Sequence, residues 1–512
     1  MAVLRSGSFE LRNYQRNIAD VASEKNTLVV LPTGMGKTLI SVIIAARRLE
    51  NFKDSKILVM APTRPLNAQH KRSFEKFTHV LPSKISLVTG KIPPSERARI
   101  YGESKVVVAT PQTIENDLES GSLNMKDFSF AVFDECHRAV KDYAYSYIAK
   151  KFVMQSANPL ILALTASPGW TESRIKEVCE NLFIKAVEIR GDQDDDVQEY
   201  VKPIDREFVY VDFPEDFRNV RSLLQDILRE DMEWLRNHNY VPTTIPSRKM
   251  LIGLQNRTAA RYSATKNYML IWPLIRSAEA IKLSHAIELI ETQGVPFLYE
   301  YLEKMKASKK RTDQRVMKHG KMIDAMKILE RLHERGFEHP KIDKIKEIVT
   351  DLVSKNPKCK IIVFANFRAT VDRIKKVLDG ENVPTETLMG QAVKNGKGMS
   401  QDEQVDVLRR FRNGEFNVLC GTSVSEEGID VPSVDYAIFY EAVPSEIRAI
   451  QRRGRVGRQI AGRAIFLLTK GTRDEAYFHA SVHKERRMRG VLQGMRDKKV
   501  LDRKKTLIDW VA

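Results

Sequence analysis

The segment Pro32–Thr38, with the sequence PTGMGKT, has the residue types of a loop that binds phosphate. It lies between a short apolar run and an amphipathic stretch, which is the strand-to-helix context that such a loop requires. Glycines allow backbone N–H groups to face phosphates, and a helix N-terminus favours their negative charge. We expect Lys37 to reach the β- and γ-phosphates of ATP and Thr38 to bind Mg²⁺. The other predicted contacts of this loop with the nucleotide are Thr33, Gly34 and Gly36.

A second candidate group, with the sequence DECH, begins at Asp134 directly after the apolar run Phe130–Phe133. Carboxylates at the carboxyl ends of parallel strands lie at the edge of the sheet where ligands bind. We therefore expect Asp134 beside the phosphate loop as a second Mg²⁺ ligand. Glu135 is expected to orient and deprotonate the water that attacks the γ-phosphate.

Residues 451–458, with the sequence QRRGRVGR, form a third group far along the chain. On one helix, Arg455 and Arg458 share a face with Gln451. An arginine-rich run is often a solvated or nucleic-acid-binding face. Together with the first two groups, this spacing favours arginines that reach the γ-phosphate from a second domain, so that hydrolysis requires domain closure.

The elements that must position these groups follow from the pattern of apolar runs. Up to residue 204, short runs that are apolar on both faces alternate with longer amphipathic stretches, which is typical of a parallel sheet covered by helices. The predicted strands are Thr27–Leu31, Ile57–Met60, Ile85–Val88, Val106–Ala109, Phe130–Phe133 and Leu160–Leu164.

The remainder of the chain predicts two further domains. From residue 205 to 339 helical periodicity dominates, and from residue 340 to 512 strand-like runs return. The strands predicted there are Lys360–Phe364, Asn417–Cys420, Tyr436–Tyr440 and Ala464–Leu468. The fold class is therefore α/β, with two parallel-sheet domains (1–204 and 340–512) and a helical domain inserted between them (205–339).

Two basic segments are candidates for contact with a polyanion. Between Lys304 and Lys321, Asp313 is the only acid. This run is either a solvated helix face or disordered loop, or an arm that contacts phosphates through Lys309, Lys310 and Arg311, and we favour the arm. The basic tail 484–505 is compatible with packing on the second domain or with following nucleic acid.

Composition sets further limits. The net charge of +18 attracts polyanions, of which nucleic acid is the commonest. The four cysteines are far apart, which excludes an ordinary zinc site and a disulfide framework and indicates a reducing compartment. No apolar run approaches the length of a membrane span, and the first residues lack a signal-peptide core. We expect a cytoplasmic protein with no membrane partner.

Several further segments join these groups in a set that resembles the conserved motifs of superfamily 2 helicases. They are LRNYQ (11–15), PTR (62–64), TPQ (110–112), TAS (165–167), FAN (364–366) and residues 421–432. Each is weak alone, but their order over nearly the whole chain is specific. The resemblance implies two RecA-like domains that hydrolyse ATP and move along nucleic acid.

The resemblance also implies roles that residue types alone do not reveal. Gln15 matches the position that reads adenine, and Thr165 and Ser167 match positions that link hydrolysis to movement. Gly428 and Asp430 match positions near the nucleotide. The positions that match contacts with the nucleic-acid backbone are Thr63, Arg64, Thr110, Asn366 and Thr422.

Within that superfamily, longer phrases resemble the Hef and FANCM family of DNA helicases. These phrases are TPQTIENDL, FDECHRAV, LTASPG, QRRGRVGR and KGTRDEAY. The resemblance implies movement from 3′ to 5′ on forked or branched DNA during replication-fork repair, and it agrees with a helical insertion. A sliding clamp is a possible partner, although the sequence has no clear clamp-binding peptide.

Two alternatives stay open at this point. RIG-I-like and Dicer helicases share the two-domain plan and the insertion but act on duplex RNA, which proteins recognise by its shape and 2′-OH groups. A non-catalytic scaffold that only binds nucleic acid is disfavoured, because such degenerate ATPases lose residues that this chain retains. The retained residues are Lys37, Asp134, Glu135, Arg455 and Arg458.

Overall fold

Two parallel β-sheets and a helical bundle form the protein, described here from a computed structural model. The described residues are 3–5, 7, 9–32, 34–191, 194–200, 205–390, 398–422, 434–442 and 462–497. The predicted α/β class, with helices inserted between two sheet domains, is confirmed. None of the described helices combines the length and the hydropathy that a membrane-spanning segment requires.

The first sheet has seven parallel strands in the order β3-β4-β2-β5-β6-β1-β7. Its central strands are buried on both faces, which explains why they read as continuous apolar runs. The strands are β1 (Thr27–Val30), β2 (Lys56–Met60), β3 (Ile85–Val88), β4 (Val106–Ala109), β5 (Phe128–Asp134), β6 (Ile161–Thr165) and β7 (Ala186–Ile189). The helices of this domain are Asn13–Glu24, Lys37–Asn51, Arg64–Phe77, Pro94–Glu103, Pro111–Glu119, Ala144–Gln155, Glu172–Asn181 and Asp195–Gln198.

The second sheet has six parallel strands in the order β10-β11-β9-β12-β13-β8. Its strands are β8 (Asp205–Val211), β9 (Ile361–Phe364), β10 (Thr385–Leu388), β11 (Val418–Gly421), β12 (Tyr436–Phe439) and β13 (Arg463–Thr469). The helices described beside it are Pro340–Lys355, Arg368–Gly380, Gln401–Asn413 and Arg473–Asp497.

The first boundary of the predicted insertion is wrong. The sequence pattern places residues 205–211 in the helical domain, but they form β8, which pairs with β13 along its whole length. β8 lies at the edge of its sheet and most of its side chains are exposed, so it lacks a continuous apolar run. The edge strands β7 and β10 also have no counterpart among the predicted strands.

The helical insertion therefore begins at Glu215 and is a bundle with its own apolar core. Its longest helices, Glu215–Asn237 and Ile271–Thr292, pack along each other. The helices of the bundle are Glu215–Asn237, Arg248–Thr265, Ile271–Thr292, Val295–Lys306, Arg311–Met317 and Gly320–Glu334.

Two acids are buried between the long helices of this bundle. Burial raises the pKa of Glu279 to about 7, and the negative charge of Asp231 acts in the same direction against Arg315 and Arg276. Burial also raises the pKa of Asp231, against the hydrogen bond and charge of Arg276. Arg276 Nη1 lies 2.6 Å from Asp231 Oδ1.

This pair predicts that the bundle loses stability as pH rises toward neutrality. Glu279 keeps a proton in the folded chain that the unfolded chain releases above its ordinary pKa of 4.5. The free energy of unfolding should therefore fall as pH rises from about 4.5 to about 7. Urea unfolding midpoints measured between pH 5 and pH 8 test this, with Glu279→Gln expected to flatten the decline. Parallel pH profiles for the two proteins would contradict it.

The C-terminal helix (Arg473–Asp497) connects both sheet domains. Its first turns pack on the second sheet, where Phe478 contacts Phe208 and Phe466. Further along, Met488 and Leu492 enter the core of the first domain. The described part of the basic tail therefore packs on the first domain. The sequence alone did not indicate this contact.

Candidate functional site

The predicted ATP-binding groups lie together at the carboxyl edge of the first sheet. The strand order β2-β5-β6-β1 brings the segments that follow these four strands into one row. Asp134 ends β5 and Thr165 ends β6, while the phosphate loop follows β1. The local apolar runs form the strands, and their parallel pairing is what aligns the three motifs.

The phosphate loop requires glycine at two positions. Gly34 and Gly36 have φ values of +89° and +74°, in the left-handed region that side chains disfavour. A Cβ on Gly36 would lie 2.3 Å from Gln15 Nε2, so a larger residue would displace that side chain. The helix Lys37–Asn51 begins directly after Gly36, with Thr38 in its first turn.

Contacts inside the loop hold its lysine and connect it to the predicted adenine-reading residue. Lys37 Nζ donates to the carbonyl oxygens of Leu31 at 2.9 Å and Pro32 at 3.4 Å. Gln15 Nε2 and Tyr14 Oη donate to the carbonyl of Met35, at 3.3 Å and 2.8 Å. The side chain of Gln15 is buried. The segment that precedes β1 is thus attached to the loop through one backbone carbonyl.

Asp134 is an ionised carboxylate in a buried position. Burial acts to raise its pKa, but the hydrogen bond and charge of His70, the charge of Lys37 and the Glu135 N–H leave the pKa below its ordinary value. His70 Nε2 lies 2.9 Å from Asp134 Oδ2, and the Glu135 N–H donates to Asp134 Oδ1 at 3.0 Å. A carboxylate of this kind suits a hard divalent cation. Mg²⁺ in particular is usually bound by one or two protein carboxylates.

Sequence reasoning missed His70. It lies on the helix Arg64–Phe77, which begins at the predicted nucleic-acid contact Arg64, and it is buried against Asp134. One helix therefore carries both a candidate contact with the nucleic-acid backbone and the hydrogen-bond partner of the candidate Mg²⁺ ligand Asp134. No signal in the sequence indicates this pairing, because His70 and Asp134 are 64 residues apart.

Glu135 has the backbone of a residue held in place by its surroundings. Its φ is +51°, an uncommon value for a residue other than glycine. Its Oε2 atom is buried without a hydrogen-bond partner among the described residues, and lies 3.2 Å from His137 Nδ1 without hydrogen-bond geometry. His137 Nδ1 instead pairs with Thr165 Oγ1 at 3.2 Å. An unsatisfied carboxylate oxygen here suits a group that accepts a proton from water.

Thr165 and Ser167, the residues predicted to link ATP hydrolysis to movement, are fully buried at the end of β6. Thr165 Oγ1 donates to the Ser167 carbonyl at 3.0 Å and accepts from the Ser167 N–H at 3.1 Å. Ser167 Oγ donates to the sulfur of Met488, 321 residues away on the C-terminal helix. The segment therefore contacts His137 on one side and the C-terminal helix on the other.

In the first domain, the residues predicted to contact the nucleic-acid backbone follow two neighbouring β-strands. Thr63 and Arg64 come after β2, and Thr110 comes after β4. Arg64 is exposed, and Thr110 Oγ1 lies 2.7 Å from Thr113 Oγ1. Thr63 Oγ1 is buried without a hydrogen-bond partner in the part of the chain that the structure describes. The structure thus brings these three residues to one edge.

The corresponding residues of the second domain follow β9 and β11. Asn366 is exposed, and its backbone N–H donates to Glu441 Oε2 at 2.7 Å. Glu441 Oε1 accepts from Gln293 of the insertion, so this loop is attached to the helical bundle. Thr422 is 6% exposed and presents little surface. Sequence reasoning found neither Gln293 nor Glu441, because the two are 148 residues apart.

Some predicted residues lie elsewhere. Lys309, Lys310 and Arg311 are exposed at the start of the helix Arg311–Met317. This helix belongs to the insertion and not to the row of segments at the carboxyl edge of the first sheet, here called the motif row. Six predicted site residues lie outside the described residues and stay predictions. They are Thr33, Gly428, Asp430, Gln451, Arg455 and Arg458.

Comparisons with family profiles agree with this three-part layout. Residues 12–175 match the DEAD/DEAH box helicase family, and residues 340–459 match the helicase conserved C-terminal domain. Residues 216–335 match a helical bundle described for an ATP-dependent RNA helicase. The three matches correspond to the first sheet domain, the second sheet domain and the insertion.

Individual relatives give the same result. A protein of Methanocaldococcus jannaschii, provisionally named an ATP-dependent RNA helicase, is 40% identical over 96% of this chain and 62% of its own length. An ATP-dependent DNA helicase of Schizosaccharomyces pombe is 30% identical over 92% of this chain and 58% of its own length. This chain thus spans less than two thirds of these curated relatives.

A solved structure matches over almost the whole chain. The crystal structure of the Pyrococcus furiosus Hef helicase domain is 44% identical, with a TM-score of 0.73, and the match covers 94% of this chain and 100% of that one. The two sheet domains and the inserted bundle each match a family model, and the match to the solved structure extends over all three. This chain therefore belongs to the superfamily 2 helicases, in the family of Hef and FANCM, whose members are ATP-dependent helicases.

Proposed function

We propose that the protein is an ATP-driven helicase or translocase that acts on forked or branched DNA. The observation that carries the proposal is the single sheet edge at which the phosphate loop, Asp134 and Glu135 adjoin Thr63 and Thr110. Hydrolysis at one part of this edge can then alter contacts with a strand at the other. Phosphate contacts fix position without reading sequence, so we expect little sequence preference and a steep salt dependence.

The residues of the ATP site have complementary tasks in this proposal. Gln15 holds adenine, Lys37 neutralises charge on the phosphates, and Glu135 accepts the proton of the attacking water. Mg²⁺, held by Thr38 and Asp134, would offset the negative charge of the phosphates. Arg455 and Arg458, with Gln451, complete the site from the second domain. The remaining predicted nucleotide contacts are Thr33, Gly34, Gly36, Gly428 and Asp430.

DNA is favoured over RNA by the family resemblance and by several relatives. The relatives from Schizosaccharomyces pombe and Coccidioides immitis are named ATP-dependent DNA helicases. The names of the Methanocaldococcus jannaschii relative and of the Arabidopsis thaliana FANCM state RNA. The substrate is therefore the first point to test. A sliding clamp remains a proposed protein partner without a recognised binding peptide in this chain.

Steady-state ATP hydrolysis tests the proposal. Rates are measured without nucleic acid and then with single-stranded DNA, forked DNA or duplex RNA, each with Mg²⁺. Strong stimulation by forked DNA that is absent in Lys37→Ala would support a motor that remodels forks. Stimulation by duplex RNA alone would assign the protein to RNA, and no stimulation by any of them would return the scaffold alternative.

Removal of His70 should weaken the use of Mg²⁺. Partners of metal ligands typically change metal affinity or activity by about 10–100-fold when they are removed. We expect His70→Ala to raise the Mg²⁺ concentration at half-maximal ATPase by about tenfold, because Asp134 loses the hydrogen bond that favours its ionised form. His70→Gln, which retains a donor, should be closer to the wild type. An unchanged Mg²⁺ midpoint in His70→Ala would show that this contact has no such role.

The exposed basic arm of the insertion predicts selectivity for branched DNA. Replacing Lys309, Lys310 and Arg311 with glutamine should weaken binding to a fork more than to a single strand, since the arm lies outside the motif row. Fluorescence anisotropy with both DNAs at one salt concentration measures the difference. A control in the same bundle is Lys327→Gln, since Lys327 lies outside the basic run and pairs with Asp324 on its own helix. Equal losses on fork and single strand would show a non-specific role.

A further inference from the structure

A turn at one end of the helical insertion presents large apolar side chains to solvent. The turn joins the helices Arg248–Thr265 and Ile271–Thr292 and contains Tyr268 and Met269. Together with Tyr262 and Trp272 on the adjoining helix ends, these residues are here called the aromatic tip. Tyr268 is 75% exposed, Met269 72% and Trp272 49%. Exposed aromatic groups that lie together often mark a binding surface.

The aromatic tip has a defined conformation. Lys266 ends the first helix with a φ of +51°, and its N–H donates to the Tyr262 carbonyl at 2.8 Å. Asn267 Oδ1 then accepts from the Met269 N–H at 2.9 Å. The rings of Tyr262 and Tyr268 meet edge to face, with centroids 6.4 Å apart. Because the turn is already ordered, a ligand that binds these rings pays little conformational entropy.

In the sequence around the aromatic tip, every charged side chain is basic. Residues 234–278 contain seven Lys or Arg side chains and no Asp or Glu. Arg257, Arg261 and Lys266 are exposed, and no described acid lies within ion-pair distance of them. Elsewhere in the bundle basic side chains are commonly neutralised in ion pairs. Examples are Arg221, Arg229, Lys282, Lys304, Lys321 and Arg331. Within residues 234–278, Arg276 is also paired, with Asp231.

The tip is continuous with the predicted basic arm. The guanidinium of Arg315 lies over the ring of Trp272, 5.3 Å from its centroid. Arg315 belongs to the helix Arg311–Met317, which begins at the last residue of the arm. A strand held by the arm can therefore extend onto the aromatic tip without leaving this side of the bundle.

We infer that the aromatic tip is a binding site for unpaired nucleobases, with Tyr268 and Trp272 stacking on bases and Arg257, Arg261 and Lys266 contacting phosphates. Single-stranded nucleic acid combines a polyanionic backbone with flat apolar faces, and aromatic side chains beside cations are the groups that bind it. In a duplex those faces are covered by neighbouring base pairs. The site thus distinguishes the open strand at a branch from the paired arms. The inference rests on the proposed function in that DNA is the source of the bases.

The test compares ligands that differ only in their bases. A labelled single-stranded DNA and an abasic oligonucleotide of the same length carry the same phosphates. We expect the full chain to bind the DNA with bases more tightly, and Tyr268→Ala/Trp272→Ala to lose at least about fivefold of that difference. Affinity for the abasic strand should be unchanged. Leu81→Ala, an exposed apolar residue of the first domain, is the matched control and should retain the full base preference.

The cationic residues give an independent readout. Replacing Arg257, Arg261 and Lys266 with glutamine should weaken binding to both strands, and should reduce the slope of log affinity against log salt by about 2, at roughly 0.7 for each lost phosphate contact on a single strand. The aromatic variant should leave that slope unchanged. A double aromatic variant that keeps the wild-type base preference would overturn the inference.

A parallel titration with single-stranded RNA separates the two proposals. If ATPase assays favour RNA and the aromatic variant loses base preference on RNA, the tip is a nucleobase site and the assignment to DNA fails. If forks stimulate the ATPase but the aromatic variant binds every strand as the wild type does, the assignment to DNA stands and the tip proposal fails.

Discussion

Glu135→Gln is expected to slow ATP hydrolysis by about 10²–10⁴-fold while ATP binding is retained. Glutamine has the shape of glutamate but cannot accept the proton of the attacking water. The buried Oε2 atom has no hydrogen-bond partner among the described residues, so the substitution breaks no such bond of that atom. Lys37 and Asp134 are unaffected, which is why affinity for the nucleotide should persist.

Single-turnover hydrolysis and the binding of a fluorescent ATP analogue measure the two effects separately. Glu172→Gln is the matched control, since Glu172 is an exposed glutamate at the start of a helix in the same domain. It should hydrolyse ATP at the wild-type rate. A Glu135→Gln protein within a few-fold of the wild type would show that another group accepts the proton.

Asp474→Asn is expected to cost about 3–5 kcal/mol of stability, because it leaves the ammonium group of Lys341 buried without its counter-ion. Lys341 and Asp474 form an ion pair in which both side chains are fully buried. Lys341 Nζ also donates to the Tyr440 carbonyl at 2.6 Å, and Asp474 Oδ1 accepts from the Ala442 N–H at 3.1 Å. The pair thus joins the helix Pro340–Lys355, the segment after β12 and the C-terminal helix.

The midpoint of urea unfolding, followed by circular dichroism, measures this loss. Lys341→Met/Asp474→Leu removes both charges together and should recover part of it, since buried ion pairs can be replaced by apolar groups at little cost. The exposed pair Lys470 and Asp212 provides the control, in which Asp212→Asn should change the midpoint little. Equal effects of Asp474→Asn and Asp212→Asn would contradict the prediction.

The sequence was sufficient for elements whose signal is local. The strands at the centre of both sheets are apolar on both faces, so each appears as an uninterrupted run. The phosphate loop is equally local, because its glycines and Lys37 act through backbone geometry within seven residues. β8 carries no such signal, since most of its side chains are exposed at the edge of the sheet and polar residues are permitted there, and the predicted insertion boundary at residue 205 is therefore wrong.

Tertiary structure alone decided which distant side chains meet at the site. His70 and Asp134 are 64 residues apart, and Ser167 and Met488 are 321 apart. Neither residue type nor spacing reveals such pairs, because they depend on how strands order in the sheet and on where the C-terminal helix packs. The exposure of Tyr268 and Trp272 is also a tertiary property, since aromatic residues at helical spacing usually belong to a core. The sequence by itself therefore determined the chemistry of the motifs, and tertiary packing determined their partners and which surfaces remained open.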